Sequence, residues 1–137
     1  MPILQVKVAA PRSRELTAQI AATLIELTQR VLGKDPSLTS VVIEHVDPGD
    51  WIIGGRSLAE QGKSTFFLDI KVTDESNTRA EKARYIRETF VAFARLLPAL
   101  HQESYIHVHD ARGAAYGYGG ETQEFRFHHP APPASRT

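Results

Sequence analysis

The chain has 137 residues, with 16 Lys and Arg against 16 Asp and Glu, 42% hydrophobic residues and no cysteine. That length suits one domain with a substantial core; the balanced charge offers no field to gather nucleic acid or an anionic membrane; and the lack of cysteine excludes disulfides and thiolate chemistry. With no apolar run of membrane-spanning length and no basic, apolar leader, the expectation is a soluble, cytoplasmic protein that neither binds nucleic acid nor enters a membrane.

Pro2 follows Met1 and heads the strand-like run ILQVKV. Proline has no amide hydrogen, and a first strand position tolerates it because no ladder donor is needed there. The position has a second meaning. If Met1 is removed, Pro2 carries a secondary amine, a base and nucleophile that no internal residue supplies. Pro11, Arg12 and Ser13 then lead into a helix with Leu16, Ile20, Leu24, Leu27 and Val31 on one face, capped by Ser13 and ended by Gly33. Lys34 reads as a cation complementing the end of that helix. SVVIEHV is a β-branched run read as a buried strand. DPGD reads as a type II turn with Pro48 and Gly49 at its centre, and WIIGG closes the unit.

From Thr65 the pattern restarts. TFFLDIKV reads as a strand, Thr78 and Glu81 as a capping box, and Ala83, Ile86, Phe90, Phe93 and Leu97 as the inner face of a second helix before Pro98. The stretch Arg79, Lys82, Arg84 and Arg87, interleaved with Glu81 and Glu88, reads as its solvated side. ESYIHVHD is the next strand, and AAYGYGG, which lacks the Lys-Ser/Thr of a phosphate loop, finishes it. The His107-x-His109 pair lacks a third ligand, so no metal is assigned.

Setting SVVIEHV over YIHVHDA puts Trp51 over Tyr116 and Gly54-Gly55 over Gly119-Gly120. The chain therefore reads as an internal duplication, with β-α-β units over residues 2–56 and 65–120 of a single domain. Only the first begins at a chain end, and the position matching Pro2 falls near Phe66. ETQEFRFHH alternates like a short strand lent to a neighbour, and residues 128–137 read as a proline-rich, disordered tail. Two parallel β-α-β units imply an α/β (α+β) fold: a four-stranded sheet with two helices on one face. LQV, VVI, FFL and YIHV appear apolar on both sides, so the bare face is expected to pack against other copies in a closed oligomer.

Met-Pro at the start, Arg12 at the helix entry, LTSVVI, and an aromatic residue two positions ahead of Ile-Gly-Gly, all in this order, resemble the tautomerase superfamily. LTSVVI through DWIIGG is similar to 4-oxalocrotonate tautomerase. Pro11-Arg12 and Gly33-Lys34 are similar to macrophage migration inhibitory factor. The resemblance implies a homotrimer, no cofactor, and an amino-terminal proline acting as general base on an enol or dienol carboxylate such as 2-hydroxymuconate or phenylenolpyruvate. It assigns Pro2 as the base and Arg12 as the carboxylate or enolate ligand, with Trp51 and Ile53 as apolar walls. Val42 stands where that family carries a second arginine, and Arg56 or Arg112 are candidates to replace it. Thr73 and Ser76 stand where haloacrylate-processing relatives need an arginine pair, which argues against a hydratase or dehalogenase. A non-catalytic trimeric binding protein of the same fold is the alternative.

Overall fold

The computed structural model describes residues 1–130. Its elements are β1 (Ile3–Ala9), α1 (Arg14–Leu32), β2 (Ser40–His45), β3 (Ile52–Ile53), β4 (Arg56–Ser57), α2 (Leu58–Gln61), β5 (Thr65–Thr73), α3 (Arg79–Leu96), β6 (Tyr105–Ala111), β7 (Gly117–Tyr118), β8 (Glu121–Thr122) and α4 (Gln123–His128). The main sheet has the order β2-β1-β5-β6. β1 runs parallel to β2, β5 runs parallel to β6, and the two pairs join antiparallel along β1 and β5. Two β-α-β units thus share one sheet, as the sequence pattern requires. Ile3 lies opposite Ser40 as Phe67 lies opposite Tyr105. Pro2, one residue before Ile3, therefore corresponds to Phe66, one residue before Phe67.

Local chemistry fixes the helices. Ser13 accepts a hydrogen bond from the Leu16 amide at 3.0 Å and Gly33 closes α1 at φ 70°. Leu16, Ile20, Leu24, Leu27 and Val31 are all buried. The Thr78–Glu81 capping box is complete. The inner face of α3 is the expected one only in part: Phe93 and Leu97 are buried and Phe90 packs against the core, but Tyr85 and Thr89 are buried in place of Ala83, which is exposed, and Ile86, which is 40% exposed. The tyrosine turns inward because its hydroxyl meets that of Thr28 at 2.8 Å between the helices, so its large apolar ring is buried without stranding a polar group. Phe93 stacks on Phe66 of β5 with ring centroids 3.9 Å apart.

Three further expectations are corrected. Pro48–Asp50 forms a 3-10 turn rather than a type II turn: the Asp47 carboxylate accepts the Gly49 amide at 2.8 Å, and Gly49 lacks the positive φ a type II turn needs. The ETQEFRFHH segment pairs only through Glu121–Thr122 and then turns into α4, because Thr122 caps it by accepting the Phe125 amide at 3.0 Å. His128 accordingly ends a helix, and the rest of the tail from residue 131 lies outside the described residues. The helix-free face of the sheet is mixed rather than apolar. It presents Gln5, Lys7, Glu44, Asp69, Lys71, His107 and His109 among Ile3, Val42, Phe67 and Tyr105, because the strict alternation of each strand spends Leu4, Val6, Val8, Leu68, Ile70 and Val72 on the helix side. No helix among the described residues is long and apolar enough to cross a membrane.

Candidate active site

Pro2 is buried at the lip of β1, where its carbonyl accepts the Ser40 amide at 3.1 Å. It borders a cavity of about 340 Å³ whose walls include Ile3, Leu38, Tyr116, Tyr118 and Gln123. The topology explains these neighbours. β5 runs against β1 and β6 runs with β5, so the end of β6 arrives beside the start of β1. The β7–β8 hairpin then folds over Pro2. Gly117 is required in this hairpin: a Cβ there would sit 2.0 Å from the Glu121 carbonyl oxygen. Tyr118 is braced by Arg126, whose guanidinium lies 3.9 Å over its ring and donates to its carbonyl at 3.0 Å.

Polar groups converge on the terminus. The Tyr116 hydroxyl donates to the Met1 carbonyl oxygen, and it lies 3.4 Å from the Lys71 carbonyl. Burial raises the Tyr116 phenol above its ordinary value and keeps it protonated. The Met1 amine is held below its ordinary value, first by burial and then by the charge of Lys34. Lys34 is itself lowered by burial, with its Nζ donating to the Ser76 hydroxyl at 2.9 Å. Gln123 is only 8% exposed, and its backbone amide donates to the Tyr116 carbonyl at 2.8 Å. Its side-chain Nε2 has no hydrogen-bond partner among the described residues.

The other residues singled out from the sequence lie elsewhere in the chain. Seven-residue β1 separates Pro2 from the loop holding Arg12 by about 23 Å. Arg12 lines a different cavity, of about 420 Å³, with Pro11, His45 and Asp47. There the imidazole of His45 is 3.0 Å from the Thr17 hydroxyl and is held below its ordinary value by burial and by Arg12. β2 ends beside the end of β1, so Trp51, Ile53 and Arg56 follow at that same end. The Trp51 carbonyl accepts the Leu58 amide at 2.9 Å, the Ile53 carbonyl accepts Gln61 Nε2 at 2.9 Å, and Arg56 pairs with Glu60 at 3.6 Å on the surface. None of the four borders the Pro2 cavity. Arg112 is on the Pro2 side, in an adjoining cavity that shares Gln123 as a wall.

The sequence reading missed Tyr116, Tyr118 and Gln123 beside Pro2, and it gave Lys34 no part near the terminus. A signal for the first was present. The duplication sets Tyr116 over Trp51, and an antiparallel junction between the units carries the second hairpin, not the first, to the amino terminus.

The family model described as Tautomerase enzyme matches residues 2–61. A probable tautomerase of Dickeya dadantii (strain 3937) is 32% identical over 62 residues, which cover 44% of this chain and 92% of that protein. Among solved structures, a native fused 4-OT superposes with a TM-score of 0.76 at 21% identity, covering 90% of this chain and 97% of the other. A wild-type fused 4-OT described as an asymmetric trimer gives 0.74 at 19% identity, with coverages of 90% and 97%. The macrophage migration inhibitory factor-like protein of Entamoeba histolytica gives 0.73 at 16% identity, with coverages of 88% and 97%. At these identities the likeness to the solved structures is one of fold.

Proposed function

The chain belongs to the tautomerase superfamily, and from that premise we propose that it is a cytoplasmic isomerase in which Pro2, freed of Met1, moves a proton between oxygen and carbon of an enol or dienol carboxylate. The observation that carries this reading is the burial of Pro2 against a cavity at the chain terminus, where the Met1 amine feels the charge of Lys34. A base for this chemistry must be neutral near pH 7. Burial and Lys34 both lower the Met1 amine at this end of the chain, and the same two causes would disfavour the charged form of a Pro2 amine exposed one residue further in. The neutral amine takes the hydroxyl proton of the enol, and the resulting ammonium returns it to carbon. One O–H bond breaks, one C–H bond forms, and the amine is regenerated without any cofactor. Ile3 and Leu38 supply an apolar wall for the carbon chain, and the positive potential of Lys34 suits its carboxylate.

The test is covalent. The free Pro2 amine condenses with a small α-keto acid to an iminium ion, which borohydride traps. Peptide mass mapping is expected to find one adduct per chain, on Pro2, because the matching position in the second unit, Phe66, is an internal amide. Preferential labelling of a lysine, or no labelling of a terminus shown by intact mass to begin at Pro2, refutes the assignment. A trappable Pro2 with no turnover of any enol above buffer would favour the non-catalytic binding role.

Arg12 serves this site only if a neighbouring copy delivers it, since within the chain it lies at the far end of β1. We therefore place the reaction in a homotrimer, in which the end carrying Arg12, Trp51, Ile53 and Arg56 of one chain meets the Pro2 end of the next. Arg12→Ala is expected to cost about 2–3 kcal/mol of transition-state binding, the worth of a charge-assisted contact, while the fold survives. Mixed assemblies of Arg12→Ala chains with chains blocked at Pro2 are expected to recover up to about a quarter of normal activity, because some sites then join an intact proline to an intact arginine. No recovery in mixed trimers, or a solution mass of a single chain at micromolar concentration, excludes the shared site.

A further inference from the structure

With Met1 in place, its carbonyl carbon is bonded to the Pro2 nitrogen, and the oxygen on that carbon receives the Tyr116 hydroxyl. An oxygen two bonds from the reacting nitrogen is thus already held by a phenol. Among the described residues, the other acceptor near that hydroxyl is the Lys71 carbonyl at 3.4 Å, too distant to satisfy it well. Loss of Met1 therefore removes the good acceptor and leaves an O–H group facing the new amine, in a cavity whose nearby walls include the apolar Ile3 and Leu38. The Met1 carbonyl oxygen is held by Tyr116 and not by Tyr118, which is braced instead by Arg126 over its ring.

We propose that Tyr116 is a catalytic residue whose hydroxyl donates a hydrogen bond to the substrate's enol oxygen, which sits near the place of the Met1 carbonyl oxygen but withdrawn from the Pro2 nitrogen to hydrogen-bond distance. The inference rests on the reading of Pro2 as the base. As the amine draws the proton from the enol hydroxyl, negative charge grows on that oxygen, and a fixed donor in a partly buried site stabilises it. Tyr116 keeps its own proton throughout, as its raised pKa requires, so the proton released from oxygen is the one returned to carbon. Substrates are accordingly acids with an oxygen on the carbon next to the carboxylate. An unsaturated acid without that oxygen gains nothing from the phenol. The equivalent residue of the first unit, Trp51, has no hydroxyl, so the opposite end of the sheet lacks the donor as well as the amine.

The test uses the processed, full-length protein and phenylenolpyruvate. Tyr116→Phe preserves the ring and is expected to lower kcat for ketonisation by about 10²–10³-fold with KM changed only a few-fold, while borohydride trapping still labels Pro2 and so reports an intact site. Replacement of Tyr116 by a ring-fluorinated tyrosine, which nearly preserves shape but acidifies the phenol, is expected to move the alkaline limb of the kcat profile to lower pH. A Tyr116→Phe kcat within threefold of wild type, or an alkaline limb that does not move, overturns the assignment while leaving Pro2 as the base. A wild-type protein with a trappable Pro2 and no ketonisation of phenylenolpyruvate, 2-hydroxymuconate or any other enol acid overturns both.

Discussion

Chains whose Pro2 nitrogen stays acylated, by retained Met1 or by a short peptide added ahead of it, are expected to turn over phenylenolpyruvate about 10²–10⁴-fold more slowly than chains that begin at Pro2. The physical reason is electronic. An amide nitrogen delocalises its lone pair into the carbonyl and is no longer a base. The comparison is made on kcat/KM, with the terminus of each preparation fixed by intact mass. The pH profile of the processed chain carries the same information with a definite sign. Only the neutral amine accepts a proton, so the rate rises as pH climbs through its pKa, and the burial and the Lys34 charge that hold the Met1 amine below its ordinary value are expected to lower this limb in the same direction once Pro2 is the terminus. Lys34→Gln removes one of the two causes and is expected to shift the limb upward. Equal rates for acylated and free chains would end the case for proline chemistry.

Phe66→Ala is expected to destabilise the fold by about 3–5 kcal/mol, a large share of the roughly 5–15 kcal/mol available to a domain. Phe66 and its stacking partner Phe93 are both fully buried. Truncation removes the transfer energy of a ring and leaves a void between β5 and α3 that rigid neighbours fill poorly. Denaturant melts at fixed protein concentration are expected to show a lower midpoint with an unchanged slope. A loss under about 1 kcal/mol would mean that the site collapses around the smaller side chain. The prediction is pointed because Phe66 is the structural counterpart of Pro2. Where the first unit carries a candidate reactive residue, the second carries a packing anchor.

The elements were legible wherever a local rule was strong enough to act alone. Ser13, Gly33, Thr78 and Glu81 fix helix ends through bonds within a few residues, and the apolar face of α1 needed nothing beyond its period. The phase of α3 was less legible. A scan for apolar residues weighs Ile86 above Thr89, yet the Thr28–Tyr85 hydroxyl pair across the helices decides which side turns inward. The open sheet face was misread for a related reason. Runs such as FFLDIKV are rich in apolar residues, but alternation sends Phe67, Asp69 and Lys71 to one side together. At the site, Pro2 was legible because its position is chemically singular. Its neighbours were not, because Tyr116 reaches it only through the pairing of β1 with β5, a contact between distant segments that no local pattern encodes. The same pairing separates Arg12 from Pro2, although ten positions of sequence seem to bring them close.

Among the described residues, the antiparallel seam between β1 and β5 is the one direct strand-to-strand joint between the two units in the main sheet, and the covalent link between them is the short segment after α2, where Gly62 turns the chain at φ 63°. A cut there leaves each half with a complete strand-helix-strand motif and a row of backbone donors and acceptors matched to the other half. Two separately synthesised fragments therefore hold the instructions for their own reunion. The second fragment would begin near Phe66 and own a terminus at the opposite end of the sheet. The fused chain forgoes that second amine. In exchange, its halves meet at an effective concentration set by the linker rather than by dilution.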